Sequence, residues 1–206
     1  PEIYVGNAIF DAISGTNLVR VDGSKNRGRN SGTQADAWPI AFDVDGDGDL
    51  ELLAGSSIFD VNLVAGTLTE KSFVDPADFT FAAAAATTTQ IGDGFTSIAD
   101  LDGNGLVDVV VVRGQYLFAW EPSNASVGNN RGTVRIQPVA IAGGNRGGRA
   151  CIGDFTGDNT REIGVVGKNI FKLYDYNAST NSVSVLFSKS IDDRSGRTGC
   201  TLFDFE

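Results

Sequence analysis

The sequence predicts an all-β fold of about four blade-like units, each of four antiparallel strands, the arrangement of a β-propeller. Three observations predict it. A nine-residue acidic motif recurs at nearly even spacing. The same pair of short apolar strands flanks each copy. The composition is that of a turn-rich β chain, 41% hydrophobic and only 20% charged, with 26 glycines in 206 residues.

The motif stands out first in "DVDGDGDLE", Asp43 to Glu51. It returns as "DLDGNGLVD" from Asp100 to Asp108 and as "DFTGDNTRE" from Asp154 to Glu162. The final "DFE", Asp204 to Glu206, reads as the start of a fourth copy. The copies begin at 43, 100, 154 and 204, so neighbours lie 57, 54 and 50 residues apart. A period of about 50 residues is that of a repeat architecture with four strands per unit.

The elements of a unit follow in order. A short apolar strand precedes each acidic turn: "WPIAF", "TSIA", "ACIG" and "CTLF". A second strand, a tight glycine turn and a third strand follow it, in "LELLAGSSIFDV", "VDVVVVRGQYLFAW" and "REIGVVGKNIFKLYDY". Val, Ile, Leu, Phe and Tyr dominate these strands, and Gly with small polar residues makes the turns. A longer variable stretch after the third strand holds the fourth. The N-terminal "PEIYVGNAIFDAISGTN" matches the second and third strands, which aligns Glu2 with Glu51, Asp108 and Glu162. Counted from loop to loop, the units of this single domain, 1–206, are 2–51, 52–108, 109–162 and 163–206. The low-complexity segment "FTFAAAAATTTQ", Phe79 to Gln90, is expected to be an insertion or a small-residue edge strand.

Charge and residue usage narrow the function. A net charge of −10 argues against nucleic acid as a partner. Histidine is absent, which removes Ser-His-Asp and Cys-His catalysis and every imidazole metal site. Two cysteines are too few for a disulfide framework or a zinc site. No apolar run reaches the 18 residues of a membrane span, and the opening "PEIYVGN" has no leader pattern.

The acidic loops have the chemistry of a calcium site. Ca²⁺ takes six to eight hard oxygens, and alternate residues of a tightly curled loop point inward together. Glycine supplies the positive φ of the curl. In the first loop Asp43, Asp45 and Asp47 fill positions 1, 3 and 5, the carbonyl of Asp49 position 7, and Glu51 position 9. The second set is Asp100, Asp102, Asn104, the carbonyl of Leu106, and Asp108. The third is Asp154, Thr156, Asp158, the carbonyl of Thr160, and Glu162. An EF-hand needs Glu at position 12 between two helices, but position 12 is Ala54, Val111 or Val165 and the flanks are β-like. Mg²⁺ prefers fewer carboxylates and more water. Together the three loops carry the −10 of the whole chain, and without cations they repel themselves open. About three structural Ca²⁺ sites are therefore expected. The third is expected to be the weakest, because Thr156 replaces a carboxylate and Arg161 adds a positive charge. Asn159 stands there for Gly48 and Gly105, and Asn tolerates the left-handed region.

Through "AFDVDGDGDLELLAG", "IADLDGNGLVDVVVVRG" and "IGDFTGDNTREIGVVG", the chain resembles the FG-GAP/VCBS repeats, the integrin-α-like β-propeller family. The resemblance implies that each loop joins the first and second strands of a blade. It also implies that calcium is structural, and that the opposite face of the propeller binds partners. Usual propellers of the family have about seven blades. Four units fall short of that, and the ends "PEI" and "DFE" fit a fragment best. A partial ring completed by further chain and a small complete propeller are the other readings.

The remaining features bear on partners. Arg27, Arg29, Arg146, Arg149, Arg194 and Arg197 cluster in "KNRGRNSG", "GNRGGR" and "DDRSGR", before inner strands and so on the face opposite the acidic loops. They are either a site for an anionic glycan or acidic protein, or solvated loops paired with neighbours such as Asp192 and Asp193. Asn124 and Asn177 open two "NAS" sequences, which are glycosylation acceptors or simply turns. Cys151 and Cys200 precede acidic loops in neighbouring units; a bridge, suited to an oxidising compartment, and two buried thiols both fit. Trp38 and Trp120 are expected to pack in the core or between blades. The function expected is an extracellular or cell-surface calcium-binding module for adhesion, recognition or assembly, with a protein or glycan ligand. A polysaccharide lyase propeller is the enzymatic alternative, although no general base stands out. A structural piece of an extracellular filament is the third reading.

Overall fold

A computed structural model describes residues 1–5, 8–20, 38–80, 91–123, 130–141 and 146–202. Arg27, Arg29, Asn124, the segment from 81 to 90 and the motif start at 204 lie outside the described residues.

The fold is all-β, with one 3-10 turn at Pro76–Asp78 among the described residues. Among the described residues, fifteen strands form four antiparallel sheets. The first has three strands in the order β1 (Glu2–Val5), β2 (Ala8–Asp11) and β3 (Asn17–Arg20). The second runs β4 (Ile40–Phe42), β5 (Glu51–Ala54), β6 (Ser57–Asn62) and β7 (Thr67–Phe73). The third runs β8 (Phe95–Ala99), β9 (Asp108–Arg113), β10 (Tyr116–Glu121) and β11 (Thr133–Ala140). The fourth runs β12 (Cys151–Gly153), β13 (Glu162–Gly167), β14 (Ile170–Asn177) and β15 (Ser182–Ser190). Each four-stranded sheet is a meander, so sequence neighbours are spatial neighbours. The loop-to-loop units are the same repeat at another phase: every complete acidic loop lies inside a sheet, between its first and second strands.

The sheets stack in chain order through their apolar faces. Leu53 and Ile58 of the second sheet pack with Val109, Val111, Phe118 and Trp120 of the third. On its other face the third sheet presents Val110, Val112, Leu117 and Ile136 to Ile163, Val165 and Tyr174 of the fourth. Ile9 and Val19 of the first sheet meet Val61 and Leu68 of the second. The second strands β5, β9 and β13 are buried on both faces, which explains why "DVVVVR" reads as a continuous apolar run instead of an alternating one. Trp120 lies at the centre of one interface, fully buried, and its indole N–H donates to the carbonyl of Gly55 at 3.0 Å. Trp38 lies outside the core and packs instead against the neighbouring sheet. It is 55% exposed, because it precedes β4 at the rim, where it bridges in parallel to Phe95 and leans on that ring at 6.3 Å.

The cysteines form a disulfide, Cys151 to Cys200, across 49 residues. It ties the segment that follows β15 alongside β12. That geometry resolves the choice between bridge and thiols in favour of the bridge.

Candidate metal centres

The three acidic loops adopt one backbone design. Gly46, Gly103 and Gly157 have φ of +76°, +74° and +77°. Two residues on, Gly48, Gly105 and Asn159 have φ of +95°, +85° and +68°, so Asn159 does take the left-handed conformation. The first aspartate organises each curl. Asp43 accepts from the Gly46 N–H at 2.7 Å and the Gly48 N–H at 3.0 Å. Asp100 accepts from Gly103 at 2.8 Å and Gly105 at 2.9 Å. Asp154 accepts from Gly157 at 2.6 Å and Asn159 at 2.9 Å. The ninth residue then closes the loop from the start of the second strand. Glu51, Asp108 and Glu162 accept the N–H of Val44, Leu101 and Phe155, at 2.8, 2.8 and 2.6 Å. All three closing carboxylates are buried.

This geometry gathers three acidic groups that can hold a metal ion. They are Asp43, Asp45 and Glu51; Asp100, Asp102 and Asp108; and Asp154, Asp158 and Glu162, with one oxygen from each residue within 4.8 Å of the others. The third group draws on position 5, Asp158, because position 3 is Thr156. The Thr156 and Thr160 hydroxyls donate to Glu162 Oε1, each at 3.2 Å. Asp47 and Asn104 lie outside the triads, their side-chain oxygens accepting the N–H of Asp49 at 2.9 Å and of Leu106 at 2.7 Å. Asp49, Leu106 and Thr160 thus stand at the foot of each loop with their amides engaged in it.

The donors are all oxygen, as a hard cation requires. One oxygen is conspicuous: Asp108 Oδ1 is buried with no hydrogen-bond partner. Burial pushes the Asp108 carboxyl up to about 6, against the hydrogen bond from Leu101 and the charge of Arg135, which pull it down.

Basic side chains reach two of the loops, which the sequence reading did not foresee. Lys71 Nζ lies 2.7 Å from Asp45, 3.2 Å from Glu51 and 3.2 Å from Asp60. Burial opposes its charge, but hydrogen bonds to Asp45, Asp60 and Glu51 outweigh that and keep the ammonium protonated above the usual lysine range. Arg135 binds Glu121, lies 3.1 Å from Asp102, and brings Nε to 3.5 Å from Asp108 Oδ1. A faint sequence signal existed for the extra acids, an acidic residue in the third strand of each unit: the Asp of "IFDV", the Glu of "FAWE" and the Asp of "LYDY". None existed for the bases.

The chain matches no protein-family model, and neither a curated protein nor a solved structure shows significant similarity to it.

The arginine loops of the fourth sheet lie at the end of β13 away from its acidic loop. Gly147 bridges to Gly167, and the Asn169 N–H donates to the carbonyl of Asp193 at 2.6 Å. Arg149, Arg194 and Arg197 are exposed there, with Arg146 half-buried beside them. Arg194 makes a 3.9 Å ion pair with Asp192, both side chains almost wholly in solvent. Asn177 ends β14, where its Oδ1 accepts from the Ser179 N–H and hydroxyl and the Thr180 N–H, an Asx turn that starts the hairpin into β15.

Proposed function

We propose that the chain is a calcium-stabilised β-propeller module of the FG-GAP/VCBS kind, extracellular, serving adhesion, recognition or surface assembly. The observation that carries this reading is the threefold recurrence of one loop, each closed by a buried carboxylate and each presenting three convergent acidic oxygens. A turn that only needed solvation has no use for the buried Asp108 Oδ1, which lacks a donor. Ca²⁺ supplies that partner at the right hardness and tolerates the irregular, partly carbonyl cage that a nine-residue loop offers. Bound at a strand junction, the ion offsets carboxylate repulsion and locks the first strand to the second. That role is structural. The disulfide supports an oxidising compartment.

The exposed arginines at the opposite end support a partner face there for an anionic glycan or an acidic protein surface. The stack of four sheets in chain order supports the propeller as its architecture.

The deciding experiment is thermal unfolding of the chain in excess chelator, in Ca²⁺ and in Mg²⁺. Ca²⁺ at about a hundred times its Kd stabilises by about 2.7 kcal/mol per linked site, so the melting temperature is expected to rise by several degrees or more. Mg²⁺ is expected to do much less. Identical melting in chelator and Ca²⁺ would discard the reading.

A further inference from the structure

Each loop faces one more carboxylate, from the third strand of its sheet. Register sets Glu162 opposite Asp175, and Glu2 opposite Asp11 in the first sheet. Asp60 and Glu121 come directly after Phe59 and Trp120, which pair with Leu52 and Val109 beside the closing acids Glu51 and Asp108. Like charges set across a strand pair repel.

In two sheets the fourth strand answers with a base placed at a bulge. Ser72 and Glu70 pair with Ile58 and Phe59, which leaves Lys71 between them free of the ladder and turned to the acids. Val134 and Ile136 pair with Trp120 and Ala119, which does the same for Arg135. In the fourth sheet Val185 and Phe187 pair with Tyr174 and Leu173, and the bulge residue is Leu186, 46% exposed. Among the described residues no ion pair reaches Asp154, Asp158, Glu162 or Asp175.

We propose that Lys71 and Arg135 are resident counter-cations: each holds its loop's carboxylates together without an ion and competes with a divalent cation for the same oxygens. The inference rests on the metal reading above and adds its regulation. Lys71 holds Asp45 Oδ2 and Glu51 Oε1, two members of the first triad. When an ion takes those oxygens, the ammonium withdraws onto Asp60, which it already touches and which lies outside the triad. Glu121 receives Arg135 in the same way. The arginine leaves Asp108 Oδ1 without a hydrogen bond, so in the second loop it satisfies the site only in part and the ion completes it. The third loop, with three carboxylates by position like the second, has no such competitor among the described residues. Carboxylate count alone therefore misjudges the order of affinities.

Removing one positive charge within a side chain's reach of a divalent ion is expected to tighten binding about tenfold at low salt. The test is a Ca²⁺ titration of the isotope-labelled full chain. It is followed at the amides of Gly46 and Gly48 for the first loop, Gly103 and Gly105 for the second, and Gly157 for the third. Lys71→Gln is expected to tighten the first loop about tenfold and move the others less than about twofold. Arg135→Gln should act likewise on the second loop alone, while Lys71→Arg stays near wild type. Unchanged or weaker binding in Lys71→Gln overturns the inference and leaves the metal reading intact. Silence of all three loops in the wild type sinks both. Should Lys71→Gln fail to fold, the acetylation rate of Lys71 in the wild type decides: faster in Ca²⁺ than in chelator supports displacement, and equal or slower overturns it.

Discussion

Among the acidic groups of the three loops, Asp108 carries the buried oxygen without a hydrogen-bond partner. It is fully buried, it accepts one hydrogen bond through Oδ2, and its Oδ1 has none. Its carboxyl titrates at about 6 in the folded chain and near 4 when unfolded. Between those values the folded state holds the extra proton. In chelator its contribution to stability therefore falls as pH rises from about 4 to about 6, and stays low above that. Asp108→Asn should melt higher than wild type in chelator at pH 7 and lower in saturating Ca²⁺. A variant less stable than wild type in both would refute the account. Asp193 behaves oppositely. Hydrogen bonds from the Ser195 and Thr198 side chains bring its carboxyl down to about 2. Its stabilising contribution is present above about pH 4 and is lost as pH falls from 4 towards 2. Asp193→Asn should remove that acid-side loss to the same extent with or without Ca²⁺, because the residue sits at the end of its sheet away from the loops. Paired melts at pH 2.5 and 5 read the difference.

Among the elements, the acidic turns were the most legible in the sequence. Their register, their left-handed positions and their closing acids are all local, fixed within nine residues by aspartates and glycines that have few other uses. The strands beside them were legible for the same reason, since apolar runs bounded by Gly turns need no distant information. What the sequence hid depends on contacts across the fold. Lys71 is 26 residues from Asp45, and Arg135 lies opposite Glu121 only because a bulge turns it inward. Trp38 looks like a core residue until its place at the rim is known. The glycines make the same division measurable. Gly55 has φ +63°, and a Cβ there would meet the carbonyl oxygen of Gly92 at 2.2 Å, so Gly55→Ala must push the β5–β6 turn away from the segment that leads into β8. Gly46 has φ +76° and open space around it. Gly46→Ala should cost only the left-handed penalty of about 1–2 kcal/mol. Gly55→Ala should add to that penalty an overpacking cost of a further ~1–3 kcal/mol. Urea unfolding in chelator separates them, and equal midpoints would mean that the contact with the Gly92 segment is looser than its geometry implies.

At the scale of the whole molecule, three kinds of restraint act on different parts. Apolar faces hold the sheets to one another. The acidic loops act within sheets, each joining a first strand to a second. The Cys151–Cys200 bond acts at the end of the chain, tying the segment after β15 to β12, the first strand of the same sheet. Closing 49 residues removes loop entropy from the unfolded chain worth up to about 4 kcal/mol, and typical native bridges deliver about 2–4. Cys151 stands three residues before Asp154, so bridge and third loop share β12, while the first two loops lie in other sheets. Distant restraints add and neighbouring ones couple. Replacing both cysteines by serine should therefore cost about 2–4 kcal/mol and weaken Ca²⁺ at the third loop alone. Calcium titration of that double variant, followed at Gly157 against Gly46 and Gly103, measures the coupling directly. Equal loss of affinity at all three loops would mean that the bridge stabilises the sheets as one cooperative body. Loss confined to Gly157 would show that each sheet keeps its own staple.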